Sequence, residues 1–515
     1  MQLPRDLTQM NAQELRDLAT SLITQVTQKD QELKFKQLKI DQLTHEMAIL
    51  KRWRFSRRSE QLDPAQRSLL EESIDEDLGA ISLELEALRE QPKRPEPPKD
   101  KPRRTALPAH LPRREIRHDP EHTVCGCGCK LERIGEDISE KLDYVPGVFQ
   151  VERHVRGKWV CRSCEILIQA PVPAQVIDKG IPTAGLLAHV LVSKFADHQP
   201  LYRLEGILER AEVRVPRSTL GQWSGACGVQ LAPLAQALKA ALLSRTVLHA
   251  DETPVPMLKP GLGRTHRAYL WSYGTTQFDP LPLVVYDFTE SRGGHHARAF
   301  LGLWSGKLVC DDFSGYKALF ERGVSEIGCM AHARRKFHEL HENQRSEIAA
   351  EALVFYGLLY DIESEARERQ LDAIARQRLR QEHARPVADH LREWLIRQRL
   401  KVPDGSATAK AIEYSLGRWE ALTRYIDDGD LPIDNNWLEN RIRPVALGRS
   451  NWLFAGSLRA GQRAAVVMSL IQSAKLNGHD PYRYLKDVLE RLPTQPASRI
   501  DELLPHCWQP ARSTH

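Results

Sequence analysis

Three acidic stretches carry the chemistry this chain can offer. The first, Thr246-Val-Leu-His249-Ala-Asp251-Glu252-Thr253-Pro254, is an apolar β-run that ends in acids. The second, Lys307-Leu-Val-Cys310-Asp311-Asp312-Phe-Ser-Gly315-Tyr316, repeats that plan. The third, Asp434-Asn435-Asn436-Trp437-Leu438-Glu439-Asn440-Arg441-Ile442-Arg443-Pro444, sets Glu439 among carboxamides, arginines and a tryptophan, and runs on to Arg449, Trp452 and Gly456. Side chains alternate along a strand, so Asp251 and Glu252 cannot both face one site, nor can Asp311 and Asp312. Asp251, Asp311 and Glu439 together could hold a pair of divalent ions, Mg²⁺ or Mn²⁺, roughly 3.5–4 Å apart, an arrangement suited to phosphodiester chemistry. Arg441, Arg443 and Arg449 would then hold phosphate oxygens. A lone Glu among arginines is more often a salt-bridged surface residue; the two upstream acidic runs change that balance. Trp437 and Trp452 could stack on a splayed base, although core packing is the safer expectation for each.

These residues need a sheet and a helix to bring them together. Arg267–Tyr273 and Leu281–Asp287 read as further strands at hairpin spacing, and Ala297–Trp304 as a helix. The helix carrying Glu439 should end or bend at Pro444. Asp311 and Glu439 lie 128 residues apart, too far for one crossover. Residues 338–430, rich in Ala, Leu, Glu and Arg, therefore read as a helical insertion between the two parts of one α/β core, 241–337 and 431–480, with a tail at 481–515. The insertion's charges are mostly a solvated face; a minority reading has Arg376–Arg380 clamping DNA. His332, Arg334, Arg335 and Lys336 could contact phosphate beside the site, or simply form the outward basic face of a helix on the sheet.

The N-terminal half has a different character. Residues 12–50 hold a heptad seam, with Leu15, Leu22, Lys29, Lys36, Leu43 and Leu50 on one set of positions and Ala19, Val26, Leu33, Ile40 and Met47 on the other. This is a coiled-coil pattern that predicts a homo-oligomer. A basic run, Lys51–Arg58, closes the segment 1–60 and either touches DNA or caps a solvated helix. Within 61–118, residues 59–90 are acidic and helical in pattern, and 91–118 hold seven prolines and nine Lys or Arg, the composition of an extended linker. In 119–180, Cys125, Cys127 and Cys129 are followed by Cys161-Arg-Ser-Cys164. The second pair has the knuckle spacing that lets two thiolates reach one structural Zn²⁺, with two of the first three completing the set. Region 181–240 is helical, and Ser218 and Thr219 are expected to cap a second helix after a break near Pro216. Arg214 and Arg217 at that join would contact DNA if the pair is a helix-turn-helix; helical hairpins without DNA contact are commoner.

Net charge is only +5, but it is unevenly placed, and 41% hydrophobic with 27% charged residues is ordinary for a soluble chain. No apolar run reaches ~20 residues, and the N-terminus lacks a signal-peptide core, so no membrane association is expected.

His249-Ala-Asp251-Glu252-Thr253-Pro254, Asp311–Tyr316, Gly328-Cys-Met-Ala-His332-Ala-Arg334-Arg335-Lys336-Phe337, Asp434–Gly456 and Ser469–Gly478 together resemble the insertion sequence 66 family, a group of bacterial Asp-Asp-Glu transposases. The likeness covers nearly the whole chain. It implies a multidomain α/β protein with an RNase H-like core, a mixed sheet with flanking helices, and carboxylates at Asp251, Asp311 and Glu439. It implies binding to double-stranded DNA at the element's terminal repeats and at a target, metal-assisted cleavage, and joining of the 3′-hydroxyl. It further implies a cytoplasmic, nucleoid-associated protein, and the family often works with two small companion proteins. Where many relatives have Asp-Gly-Tyr, this chain has Asp311-Asp312-Phe313. The rival readings are a metal-dependent nuclease that cuts without joining, and a non-catalytic DNA-binding oligomer derived from an element.

Overall fold

The computed structural model describes residues 12–54, 64–88, 107, 109, 111–119, 132–145, 147–177, 180–259 and 265–510. Helix α1 (Ala12–Arg54) is a single long rod. Its heptad seam divides in two. Ile40, Leu43, Met47 and Leu50 pack against Ile81, Leu85 and Leu88 of α2 (Pro64–Leu88), with Leu43 fully buried. Nearer the N-terminus, Val26 and Leu33 remain 66% and 64% exposed, so this half of the seam has no cover among the described residues.

Helix α2 is not a free-standing acidic segment. Glu72, Asp75, Glu76 and Asp77 are buried where α2 lies against helix α5 (Arg217–Gln230). Small residues allow the close approach: a Cβ on Gly225 would stand 2.1 Å from the Glu76 carbonyl oxygen, and one on Gly79 2.6 Å from that of Gln222. Glu72, Glu76 and Asp77 are matched by cations. Lys194 reaches Glu72 and Glu76, and Arg463 meets Asp77 at 2.6 Å. Burial and two neighbouring carboxylates would otherwise make those charges costly.

The first sheet is ordered β1-β3-β2, with β1 (Arg113–His118) parallel to β3 (Val148–Val160), β2 (Glu132–Val145) antiparallel to it, and the short β4 (Leu167–Gln169) also on β3. The end of the expected linker is thus a strand, because Arg113–His118 finds an open edge of β3. Helices α3 (Ala184–Phe195), α4 (Leu201–Arg210), α5 and α6 (Ala232–Leu243) follow. The anticipated cap at Ser218 or Thr219 is absent: α5 starts after Pro216, both residues lie in its first turn, and Glu205 of α4 accepts the Arg217 N–H instead.

The second sheet has the order β7-β6-β5-β8-β9. Strands β5 (Val247–Leu258), β6 (Thr265–Thr275) and β7 (Val284–Thr289) form an antiparallel meander; β8 (Lys307–Cys310) and β9 (Ser325–Gly328) extend it in parallel from β5. Helices α7 (Gly294–Leu301) and α8 (Lys317–Phe320) join these strands, and α9 (Met330–Gln344) leads away. The insertion is helical: α10 (Glu347–Glu368), α11 (Ala373–Leu379), a π-turn at Arg380–Ala384, α12 (Arg385–Arg399), α13 (Ala407–Gly417) and α14 (Trp419–Thr423) follow one another, and all but α11 share one apolar core with α9 and the β8–β9 edge. Arg380 does not clamp DNA. It is fully buried, pairs with both oxygens of Glu363 at 2.7 Å, and donates to the carbonyls of Tyr425, Asp428 and Leu431. Arg376 is likewise spent inside, over the Phe278 ring and on the Gly429 carbonyl.

Helix α15 (Asn436–Trp452) does not end at Pro444: it continues past that residue, which has no N–H to give the Asn440 carbonyl, and stops only where Leu453 takes a left-handed φ of 59°. Helix α16 (Leu458–Leu476) covers the outer edge of the second sheet. Its Ser473 and Ser469 hydroxyls accept the N–H groups of Val284 and Tyr286 at 3.0 and 2.8 Å. Helix α17 (Pro481–Arg491) packs back on α3. No single described helix is long and apolar enough to cross a membrane.

Candidate active site

Register brings the two aspartates together. In the parallel pair β5–β8, His249 stands opposite Val309, and two residues further along each chain come Asp251 and Asp311. β5 does not end at its acids; it continues through them to Leu258, while β8 stops at Cys310, so Asp311 heads a turn. Backbone N–H groups fix both carboxylates: Glu252 donates to Asp251 at 2.9 Å and Phe313 to Asp311 at 3.0 Å. Arg418, from the insertion, donates to the Asp311 carbonyl at 3.2 Å.

Alternation sends the neighbouring acids elsewhere. Glu252 is buried beneath the turn, where Tyr316 donates to it at 2.9 Å and Arg292 at 2.7 Å. It braces the Asp311–Tyr316 turn, together with the Trp271, Phe313 and Tyr316 rings. Asp312 is exposed and stands 3.5 Å from Arg418.

Asn435 locks the third carboxylate in place. Its side chain accepts from His249 Nδ1 at 2.6 Å and donates to the Ala250 carbonyl at 3.0 Å; its N–H donates to Cys329 Sγ at 3.2 Å. Burial holds the His249 ring neutral, with its pKa down at about 4, so the Nδ1 proton is available to Asn435. One turn later comes Glu439, in the first turn of α15, where the helix dipole favours an anion. Its Oε1 is buried with no hydrogen-bond partner; His332 Nδ1 stands 3.8 Å from it, and Arg335 lies 3.7 Å from Oε2. Burial pushes the Asp251 carboxyl well above the usual carboxylate range, helped by the charges of Glu252, Glu439 and Asp311.

The other sequence-derived candidates are distributed around this centre. Arg334, Arg335 and Lys336 are exposed on α9, with Lys336 over the Tyr414 ring. Arg441 lies against the Trp437 ring at 3.5 Å and bonds the Trp437 carbonyl; Trp437 itself donates to the Thr275 carbonyl at 3.0 Å. Arg449 is directed inward to the carbonyls of Pro254 and Ala446, whereas Arg443 is exposed. Arg214 is exposed and Arg217 half-buried at the α4–α5 join. Trp452 packs into the apolar layer under β5–β7. Glu252, Arg292, Arg418 and Asn435 were not singled out from sequence as site-building residues; the Asp-Glu pair and the Asp-Asn-Asn run were the available signals.

At the first sheet, Cys161 directly follows β3, is buried beside Trp159 and Ile168, and starts a tight turn in which the Glu165 N–H returns to its carbonyl at 2.8 Å. Cys164 is exposed on that turn. Cys125, Cys127 and Cys129 lie outside the described residues.

The family model described as "Transposase IS66 family" matches residues 179–463, which hold the second sheet, the insertion and all three carboxylates. The "IS66 C-terminal element" matches 469–506, the "zinc-finger binding domain of transposase IS66" matches 122–165, and "Transposase C of IS166 homeodomain" matches 42–116. The chain belongs to the IS66 family of transposases. It is similar to proteins of Sinorhizobium fredii (strain NBRC 101917 / NGR234): 38% identical over 492 residues to uncharacterized protein y4jD, covering 91% of this chain and 94% of that one. A second, y4qI, is 38% identical over 494 residues, covering 92% and 90%, and a third, y4hP, is 32% identical over 504, covering 92% and 89%.

Proposed function

We propose that this transposase cleaves the ends of its insertion sequence at Asp251, Asp311 and Glu439 and joins the freed 3′-hydroxyl to target DNA. The observation that carries this is the β5–β8 register, which sets Asp251 beside Asp311, with Glu439 close enough for its charge to act on Asp251. The strand order β7-β6-β5-β8-β9, three antiparallel and two parallel, supports an RNase H-like core. Three carboxylates, one with an orphaned buried oxygen, match the all-oxygen donor set of Mg²⁺ or Mn²⁺. Such ions, when bound, activate an attacking oxygen and stabilise the leaving one. The chain's part is positional: Asn435 orients Glu439 against β5, backbone N–H groups orient the aspartates, and the exposed Arg334 and Arg443 supply positive charge for a DNA backbone. Arg335 adds to this while screening Glu439.

The Cys161–Cys164 turn fits half of a structural Zn²⁺ site, with two of Cys125, Cys127 and Cys129 as the remaining ligands. Double-stranded DNA, a second copy through α1, and two small companion proteins are the proposed partners. The deciding experiment is an in vitro reaction of the full-length protein with the element's own ends and Mg²⁺, comparing wild type with Glu439→Gln. Cleavage and strand-transfer products in wild type only are expected; cleavage without joining of pre-cut ends would make the protein a nuclease.

A further inference from the structure

The start of α9 presents two more donors to Glu439. Cys329 precedes the helix and His332 lies in its first turn. Cys329 Sγ, a His332 ring nitrogen and a Glu439 carboxylate oxygen all fall within 4.8 Å of one another. Cys329 is fully buried. His332 Nδ1 and Glu439 Oε1 point at each other across 3.8 Å, both are buried, and neither has a hydrogen-bond partner. That gap is too long for a hydrogen bond and short enough for two ligands of one ion. The Asn435 N–H fixes the sulfur at 3.2 Å, and Arg335 approaches the other Glu439 oxygen, leaving Oε1 to this cluster. A centre for hard cations has no use for sulfur and imidazole, whereas thiolate, imidazole and carboxylate together select Zn²⁺-class ions.

We propose, on the reading of Glu439 given above, that Cys329, His332 and Glu439 form a second divalent-metal site of the Zn²⁺ class that shares Glu439 with the catalytic centre. A soft ion bound there withdraws Glu439 from Asp251 and Asp311 and arrests cleavage. On binding, the Cys329 thiol proton leaves to solvent as the sulfur–metal bond forms, and water takes the fourth position.

The test is a Co²⁺ titration of the full-length protein whose zinc content has been measured beforehand. The expected result is uptake of further Co²⁺ with intense visible bands and a near-ultraviolet thiolate-to-metal charge-transfer band, while the zinc stays bound. Cys329→Ser should remove the charge-transfer band, with Cys329→Ala as the substitute if the serine variant does not fold. His332→Gln should weaken uptake about tenfold or more. A wild-type spectrum without the sulfur band, as a simple ion pair between protonated His332 and Glu439 predicts, overturns the site; so does a band that survives loss of Cys329. In Mg²⁺-supported cleavage of end DNA, added Zn²⁺ should inhibit wild type more strongly than Cys329→Ser, and equal inhibition overturns the arrest. Should Mg²⁺ support no cleavage, the catalytic reading fails while the cobalt spectrum still decides the site.

Discussion

Asn435 carries no charge, yet it ties β5, the start of α9 and the Glu439 helix into one unit through three buried hydrogen bonds. Asn435→Ala should therefore cost on the order of 3 kcal/mol, since His249 and Ala250 would keep buried polar groups without partners; urea denaturation measures this, and a loss within error would refute the locking role. The carboxylates should behave differently. Asp251→Asn, Asp311→Asn and Glu439→Gln should each abolish cleavage by several orders of magnitude yet leave end binding in gel-shift assays nearly intact, whereas Asp312→Asn, which alters an exposed side chain, should be mild. A dead Asp312→Asn beside an active Asp311→Asn would shift the register by one. A pH test belongs at this scale too. His189, stacked on Tyr144, is pushed down to about 4 by burial. Above about pH 6.5 both folded and unfolded chains hold it neutral; below that the unfolded chain takes a proton first, so stability falls from there towards pH 4. Buried carboxylates with raised values, such as Asp251, pull the opposite way. The readout is accordingly a difference: His189→Gln should lose part of the wild-type fall in Tm between those pH values, and parallel curves would contradict the assignment.

At the scale of elements, apolar runs and alternation made β5 to β8 and their acidic positions legible, because a strand's facing is local information; the four-residue β9 was not foreseen. What escaped was set by distant partners. The burial of the α2 acids was not legible, because Lys194 lies 122 residues from Glu72 and Arg463 386 residues from Asp77. Arg376 and Arg380 read as part of a solvated face, with DNA clamping the minority reading, because nothing nearby in sequence announces Glu363 or the carbonyls they satisfy. The α1 seam was readable as a seam, but not its partition, since only the fold shows α2 covering Ile40, Leu43 and Met47. Removing residues 1–36 should consequently leave the α1–α2 pairing and the thermal stability nearly unchanged while lowering the mass found by light scattering. An unchanged mass would place self-association elsewhere. For the cysteine hairpin, metal analysis of protein purified without chelator should find zinc that disappears in a Cys161→Ser, Cys164→Ser double variant, with only local loss of structure because Cys161 sits in a small cluster with Trp159 and Ile168, apart from the apolar layers of the second sheet.

Across the whole molecule, the site is assembled from parts that meet late. His249 and its Asn435 partner are 186 residues apart, and the edge strand β7 depends on Ser469 and Ser473, more than 180 residues downstream. The serines do for β7 what a sixth strand would do: they satisfy N–H groups that would otherwise template pairing with another chain. During synthesis, then, a chain that has completed β5, β6 and β7 exposes a flat apolar edge until α16 is made, and it has no complete set of carboxylates until α15 is made. Premature termination within the insertion would yield an inactive, aggregation-prone fragment in place of a partially active enzyme. The proposed set of carboxylates and the cover over β7 thus arrive close together, with α15 and α16.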